Sequence, residues 1–159
     1  MHIKGIITED FINYKKPSMV IEMPYCDFKC DLECGSTVCQ NSQLVSEPTI
    51  EIPDSIIVWE YYQKNPITEA IVFQGLEPFD SWDELKNFIQ NFRIAWQDDI
   101  VIYTGYNKTE IEEYLNFLKN YDNIIIKYGR FIPNSQKHYD EVLGVYLASP
   151  NQYAEVLHG

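Results

Sequence analysis

The sequence predicts an α/β domain on a largely parallel sheet. Strand-like and helix-like segments alternate along the chain, and the interior strand candidates are nearly continuous apolar runs. A strand apolar on both faces belongs inside a sheet covered on both sides, which is the setting of parallel strands joined by helical crossovers. The 159 residues suit one hydrophobic core, so a single domain over 1–159 is expected. There are too few strand–helix units for a closed eight-stranded barrel, which leaves an open, partial (β/α) barrel as the expected form. In such sheets chemistry gathers beyond the C-terminal strand ends.

Each element has a local reason. Ile3–Thr8 is extended and forms a hairpin with Met19–Met23, a short apolar run of strand type. The cysteine loop, about 24–42, follows directly. Pro48 and Pro53 punctuate a loop, and Asp54 is an expected N-cap for a helix through Ile57, Val58, Tyr61 and Tyr62. Ala70–Gln74 is strand-like. Ser81, with Glu84 three residues on, has the capping-box pattern for a helix reaching about Phe92. Ile100–Thr104 is the next strand. Asn107 or Thr109 opens a third helix with Ile111, Tyr114, Leu115 and Leu118 on one face. Ile124–Lys127 is a further strand, and Gln152–Leu157 a last short one.

Composition narrows the function classes. Acidic residues outnumber basic ones 24 to 12, for a formal charge of −12. Binding to a nucleic-acid backbone needs clustered Lys and Arg, so nucleic acid is excluded as the expected partner. An acidic surface suits docking to a basic protein. No apolar run has the length to span a bilayer, and Met1-His2-Ile3-Lys4 does not begin a secretion signal. A cytoplasmic protein without a membrane partner is expected. His2, His138 and His158 are scattered and read as surface residues, and Glu110, Glu112 and Glu113 as a solvated helix face.

The four cysteines carry the strongest chemical signal. Cys26, Cys30, Cys34 and Cys39 all fall within 14 positions, and no other part of the chain contains one. Disulfides that stabilise a domain tend to close longer loops, so this clustering reads as a metal site. Thiolates are soft ligands that suit iron–sulfur clusters or zinc. Cys26 and Cys30 are separated by three residues, and the spacing leaves Cys34 and Cys39 as alternatives for a third ligand. A structural zinc site is the plain alternative, although such sites usually pair C-x2-C knuckles.

With these residues in view, the chain resembles the radical S-adenosylmethionine superfamily, and within it the anaerobic ribonucleoside-triphosphate reductase activating proteins, a family of glycyl radical enzyme activases. The superfamily signature is C-x3-C-x2-C; Cys26 and Cys30 match its first spacing, and Cys39-Gln40-Asn41 resembles the Cys-x-Asn that follows in the activating proteins. Residues between Cys30 and Val38 then form an insertion holding a spare Cys34, and Val38 takes a position usually aromatic. Gly75-Leu76-Glu77-Pro78 is similar to the Gly-Gly-Glu-Pro motif that holds the methionine amino group, with Leu76 replacing a glycine. Tyr103-Thr104-Gly105-Tyr106 is similar to the family's Tyr-Thr-Gly-Tyr. Gly129-Arg130-Phe131 and Ser149-Pro150-Asn151-Gln152 resemble its Asp-Gly-Arg-Phe and Gly-Ser-x-Asn-Gln segments, with Tyr128 and Ala148 as departures.

The resemblance implies a partial barrel of the radical S-adenosylmethionine type. It implies that Cys26, Cys30 and Cys39 hold a [4Fe–4S] cluster with one iron open, with Cys34 as the alternative ligand. Val38, Cys39, Gly75, Glu77 and Thr104 would then hold S-adenosylmethionine, and no catalytic residue beyond the cluster ligands is implied. The implied reaction is reductive cleavage of S-adenosylmethionine to a 5′-deoxyadenosyl radical, which installs a glycyl radical on the large subunit of an anaerobic ribonucleotide reductase. A flavodoxin-like carrier would supply the electron. Two other classes stand beside it: a radical enzyme modifying another protein or peptide, and a non-catalytic zinc or iron–sulfur interaction module. The individual residues also have plain structural readings. Glu77 suits the start of a helix, Gly75 and Thr104-Gly105 suit strand-to-helix turns, and Asn151-Gln152 suits a turn before an edge strand.

Overall fold

The first two segments pair as their patterns require. β1 (His2–Ile3) leads into β2 (Gly5–Asp10), which runs antiparallel to β3 (Ser18–Met23) with Ile6 opposite Ile21. The computed structural model describes residues 1–27, 29–35 and 42–159, without the side chains of residues 29, 30, 33 and 42. After β3 come α1 (Lys29–Cys34), β4 (Ile50–Glu51), which pairs with β1, and α2 (Asp54–Ile56), which passes into a π-helical turn over Ile57–Tyr62. β5 (Ala70–Gly75) is followed by a 3-10 turn over Pro78–Ser81 and by α3 (Trp82–Ala95). β6 (Asp99–Tyr103), a second 3-10 turn over Lys108–Ile111 and α4 (Glu112–Leu118) come next. β7 (Ile124–Tyr128), a short antiparallel hairpin of β8 (His138–Asp140) and β9 (Val145–Leu147), and β10 (Tyr153–Val156) complete the order.

The main sheet has six strands in the order β10-β7-β6-β5-β3-β2. The inner four, β3, β5, β6 and β7, are parallel, and both flanking strands are antiparallel to their neighbours. The chain is thus a small mixed α/β domain. Side-chain alternation divides the strands between two cores. Met19, Ile21, Ile71, Phe73, Ile100, Ile102, Ile124 and Ile126 pack against the helices, together with Leu85, Phe88, Phe92, Leu115 and Leu118. Val20, Val72, Val101 and Ile125 face the other way and are covered by Tyr14, Leu143 and Leu147, so the β8–β9 hairpin takes the place of helices there. Among the described residues, no helix is long and apolar enough to cross a membrane.

Several local expectations are corrected. Asp54 is the first helical residue instead of the cap; Pro53 caps, and the Asp54 carboxylate lies 3.6 Å from the chain's amino terminus. The turn from Ile57 buries Ile57, Val58 and Tyr62 but leaves Tyr61 at the surface, because its π-helical winding shifts the apolar face. Ser81 makes no cap: its hydroxyl is buried without a partner, and Glu84 reaches instead to the backbone N–H and ring of His2. His2 is therefore engaged, and its protonated form is favoured by Glu84. Asn107 does open the third helical segment, in a full capping box with Glu110. Glu112 and Glu113 are solvated, whereas Glu110 also accepts from Arg130 at 2.7 Å.

Candidate functional site

The C-terminal ends of β3, β5, β6 and β7 open onto a cavity of about 580 Å³ on the sheet face away from α3 and α4. Cys26 enters its wall from the loop after β3, Gly75, Leu76 and Glu77 from the end of β5, Thr104 and Gly105 from the end of β6, and Gly129 from the end of β7. The β8–β9 hairpin and the segment around Asn13 close the opposite side.

Gly75 is required by its backbone. Its φ is +92°, and a Cβ there would stand 3.1 Å from Met23 N and 3.2 Å from Glu22 Cα. This close approach lets the chain leaving β5 bond back to β3: Leu76 N–H donates to Met23 O at 3.3 Å and Glu77 N–H to Tyr25 O at 2.7 Å. The segment before Cys26 is thereby fixed to the segment around Glu77. On the other side of Cys26, Asp27 N–H donates to Asp80 at 3.0 Å, and the Tyr106 hydroxyl donates to Asp80 at 2.6 Å and stands 3.2 Å from a carboxylate oxygen of Asp27. The thiol of Cys26 therefore sits on a loop tied at both flanks.

The Glu77 side chain is buried and spans two loops. Its carboxylate accepts from Phe79 N–H at 3.1 Å, from the Thr104 hydroxyl at 2.7 Å and from Gly105 N–H at 2.8 Å. Burial raises its pKa to about 7, and the three donors oppose that rise without overcoming it. Glu77 borders the cavity, and it fastens the start of the 3-10 turn at Pro78 to the end of β6. Leu76, in the place of the second glycine of the motif, is buried in the wall.

The two C-terminal motifs meet at the β7 end. Gly129 has φ +104°, and a Cβ would meet Asn151 O at 3.1 Å. Gln152 accepts from Ala148 and Ser149 N–H through one side-chain atom and donates to Gly129 O at 3.2 Å through the other; Asn151 donates to Arg130 O at 2.8 Å. Asn151-Gln152 is therefore a turn and a clamp at once.

Of the expected ligands, Cys26 is a half-buried thiol on the cavity wall. Cys30 and Cys34 lie four residues apart in α1, and Cys34 is an exposed free thiol. Val38 and Cys39 lie outside the described residues, as does the Cys30 side chain. The donor chemistry fits an iron–sulfur cluster: soft thiols in a short loop, one of them held at the mouth of a cavity. The carboxylates of Asp27 and Asp80 come within 4.8 Å of the Cys26 sulfur, but Asp80 already accepts from the Tyr106 hydroxyl and from a backbone N–H, and Asp27 lies 3.2 Å from the same hydroxyl.

Sequence reasoning missed Lys127 as a wall residue, the Asp27–Tyr106–Asp80 tie and the β8–β9 hairpin. A lysine closing the apolar run Ile124–Ile126 was the one visible signal. Comparison with curated proteins and with solved structures gives no match. Comparison with protein families does: residues 19–152 match the 4Fe-4S single cluster domain, and the segment reaches from β3 to the Gln152 clamp. With clustered cysteines in its sequence, one of them on the wall of a strand-end cavity, and a match over most of its length, the chain belongs to the 4Fe-4S single cluster domain family.

Proposed function

We propose that this iron–sulfur protein is a radical S-adenosylmethionine enzyme that installs a glycyl radical on an anaerobic ribonucleotide reductase. The observation that carries the reading is the meeting of Cys26, Gly75, Glu77 and Thr104, drawn from three separate motifs, at one strand-end cavity. A volume of about 580 Å³ suits a ligand of nucleoside size. In this reading the six-stranded sheet is a partial barrel, and Cys26, Cys30 and Cys39 hold the [4Fe–4S] cluster, with Cys34 as the alternative ligand. When bound, the cluster supplies the single electron that breaks a carbon–sulfur bond of S-adenosylmethionine, yielding methionine and a 5′-deoxyadenosyl radical.

The chain's own residues bind and orient. Gly75 lets the chain at the end of β5 lie close against β3 beside the cavity, and the Glu77–Thr104 tie holds two walls at fixed separation. Val38 and Cys39 complete the adenosyl site in this reading. The hairpin carrying Tyr146 and the segment with Ile12 rim the opening, where a glycine-bearing loop of the reductase would enter and exclude water. A flavodoxin-like carrier is the electron donor, and the setting is cytoplasmic, where thiols stay reduced.

The test is anaerobic reconstitution with iron and sulfide, reduction, and chromatography for 5′-deoxyadenosine after addition of S-adenosylmethionine. The expected result is 5′-deoxyadenosine in amounts dependent on reductant. An intact cluster that yields none overturns the proposal. Adding the large reductase subunit should produce a glycyl radical doublet by electron paramagnetic resonance; 5′-deoxyadenosine without that doublet would redirect the reading to another protein or peptide substrate.

A further inference from the structure

The chain returning from the cysteine loop enters β4, a strand of two exposed residues, Ile50 and Glu51. β4 pairs with β1 in a separate two-stranded ribbon, with Ile3 opposite Ile50 and His2 opposite Glu51. So short a ribbon is marginal by itself. Main-chain bonds lengthen it by one residue: Ile52 N–H donates to Met1 O at 2.9 Å, and the Met1 amino group donates to Ile52 O at 2.8 Å. Upstream, the Lys4 ammonium donates to Glu47 O.

His2 joins this ribbon to the helix layer. Its backbone N–H donates to one oxygen of Glu84, on α3, and its ring Nδ1 meets the other. At the opposite edge of the ring, Nε2 stands 3.6 Å from a carboxylate oxygen of Glu51, on β4. The ring thus lies between two carboxylates carried by different elements.

Serving both carboxylates takes two N–H groups. The imidazolium has two, whereas the neutral ring has one N–H and one lone pair. With Nδ1–H kept for the nearer carboxylate, loss of the proton turns a lone pair towards Glu51 and ends that attraction. The backbone N–H of His2 does not titrate, so α3 keeps its hold on β1 in either state. Only the hold on β4 changes.

We propose that His2 is a proton-operated latch on the return arm of the cysteine loop: charged, it bridges Glu84 of α3 and Glu51 of β4; neutral, it holds Glu84 alone. The latch stands on these contacts and does not require the S-adenosylmethionine reading. The groups facing the ring set the direction. The bond to Glu84 raises the pKa of His2 most, Glu51 adds to the rise, and desolvation and the Met1 ammonium, itself 3.6 Å from Asp54, oppose it. The balance is a pKa above the ordinary histidine value, so the latch is closed at lower pH and opens as pH rises through that raised value.

Amide hydrogen exchange, read by mass spectrometry on the anaerobically reconstituted full chain and corrected for intrinsic rates, tests it. Protection in residues 46–52 should fall by about two- to fivefold between pH 6 and pH 8.5, the range of a partly exposed ion pair. His2→Gln should exchange at the faster, unlatched level at both pH values, and Glu51→Gln should lose the same pH dependence. Both variants keep the Met1 ammonium, Asp54 and Glu77, so a slope arising from those groups survives in them. Wild-type protection that does not change with pH overturns the latch without any variant being needed. A slope in His2→Gln equal to that of the wild type also overturns it, and an unchanged slope in Glu51→Gln overturns the bridge to β4.

Discussion

The Thr104 hydroxyl donates to the Glu77 carboxylate at 2.7 Å, inside the protein and across the gap between the loops that leave β5 and β6. The same oxygen of Thr104 accepts from Tyr106 N–H at 3.0 Å, so one hydroxyl orders both loops. Thr104→Val keeps the shape and removes both bonds. It should cost about 1–3 kcal/mol, the usual penalty for stripping a partner from a buried polar group. Thr104→Ser should recover most of that loss. Urea unfolding of the three proteins checks it, and equal midpoints would show the bond to be without energetic weight.

Glu77 should make stability depend on pH in a direction opposite to that of an ordinary paired carboxylate. Its folded pKa is raised from 4.5 to about 7, chiefly by burial. Between those values the folded protein keeps a proton that the unfolded chain releases, so this contribution is complete below the unfolded pKa and disappears as pH rises through about 7. The loss amounts to a few kcal/mol at most, at about 1.4 kcal/mol for each tenfold change in proton affinity. Unfolding free energies measured from pH 5 to pH 8 should fall in the wild type and fall less steeply in Glu77→Gln. Parallel curves would remove Glu77 as the source.

Gly75→Ala tests the close approach of β5 to β3. The substituted residue would need φ near +92° and a Cβ 3.1 Å from a backbone nitrogen, and neither relaxes without moving β3. A loss of about 1–3 kcal/mol is expected from the strained backbone alone. Because the same movement carries Tyr25 and Cys26, the variant should also bind less iron after reconstitution. Full iron content with lowered stability would separate the backbone role from the cofactor role.

Cysteine variants separate ligand from bystander. Cys26→Ala, Cys30→Ala and Cys39→Ala should each lose the cluster, read as iron and sulfide content and as the colour of the anaerobic protein. Cys34→Ala should keep most of both, since the Cys34 thiol is exposed on α1. If Cys34→Ala is colourless and Cys39→Ala is not, the third ligand is Cys34.

Gln152 joins the turn before β10 to the end of β7 through both ends of its amide. Gln152→Ala leaves Ala148 N–H, Ser149 N–H and Gly129 O without this partner. Ser149 N–H and Gly129 O lie where the bond is buried, so a cost of about 2 kcal/mol is expected. Thermal unfolding reads it. Gln152→Glu should rescue the two N–H contacts but not the carbonyl, and so fall between.

Local chemistry in the sequence was enough to place the six strands of the main sheet, its parallel inner four and the helices α3 and α4, and to point to a metal-binding protein, but not to place α1, β4 or the β8–β9 hairpin. Apolar runs such as Ile100–Ile102 and Ile124–Ile126 can be satisfied only between two covered faces, and four thiols in so short a stretch leave little alternative to a metal. The tertiary structure alone decided what depends on distance through space. Glu84 fits a capping box by spacing, yet its carboxylate goes to His2, 82 positions earlier, because α3 lies against β1. Glu77 reads as a turn acid until β6 brings Thr104 and Gly105 to it. Lys127 reads as the edge of a strand until the sheet register places it with Gln74 and Tyr103 on one floor. Spacing along a chain reports which residues share a face, but burial and partner choice belong to the elements that pack against that face.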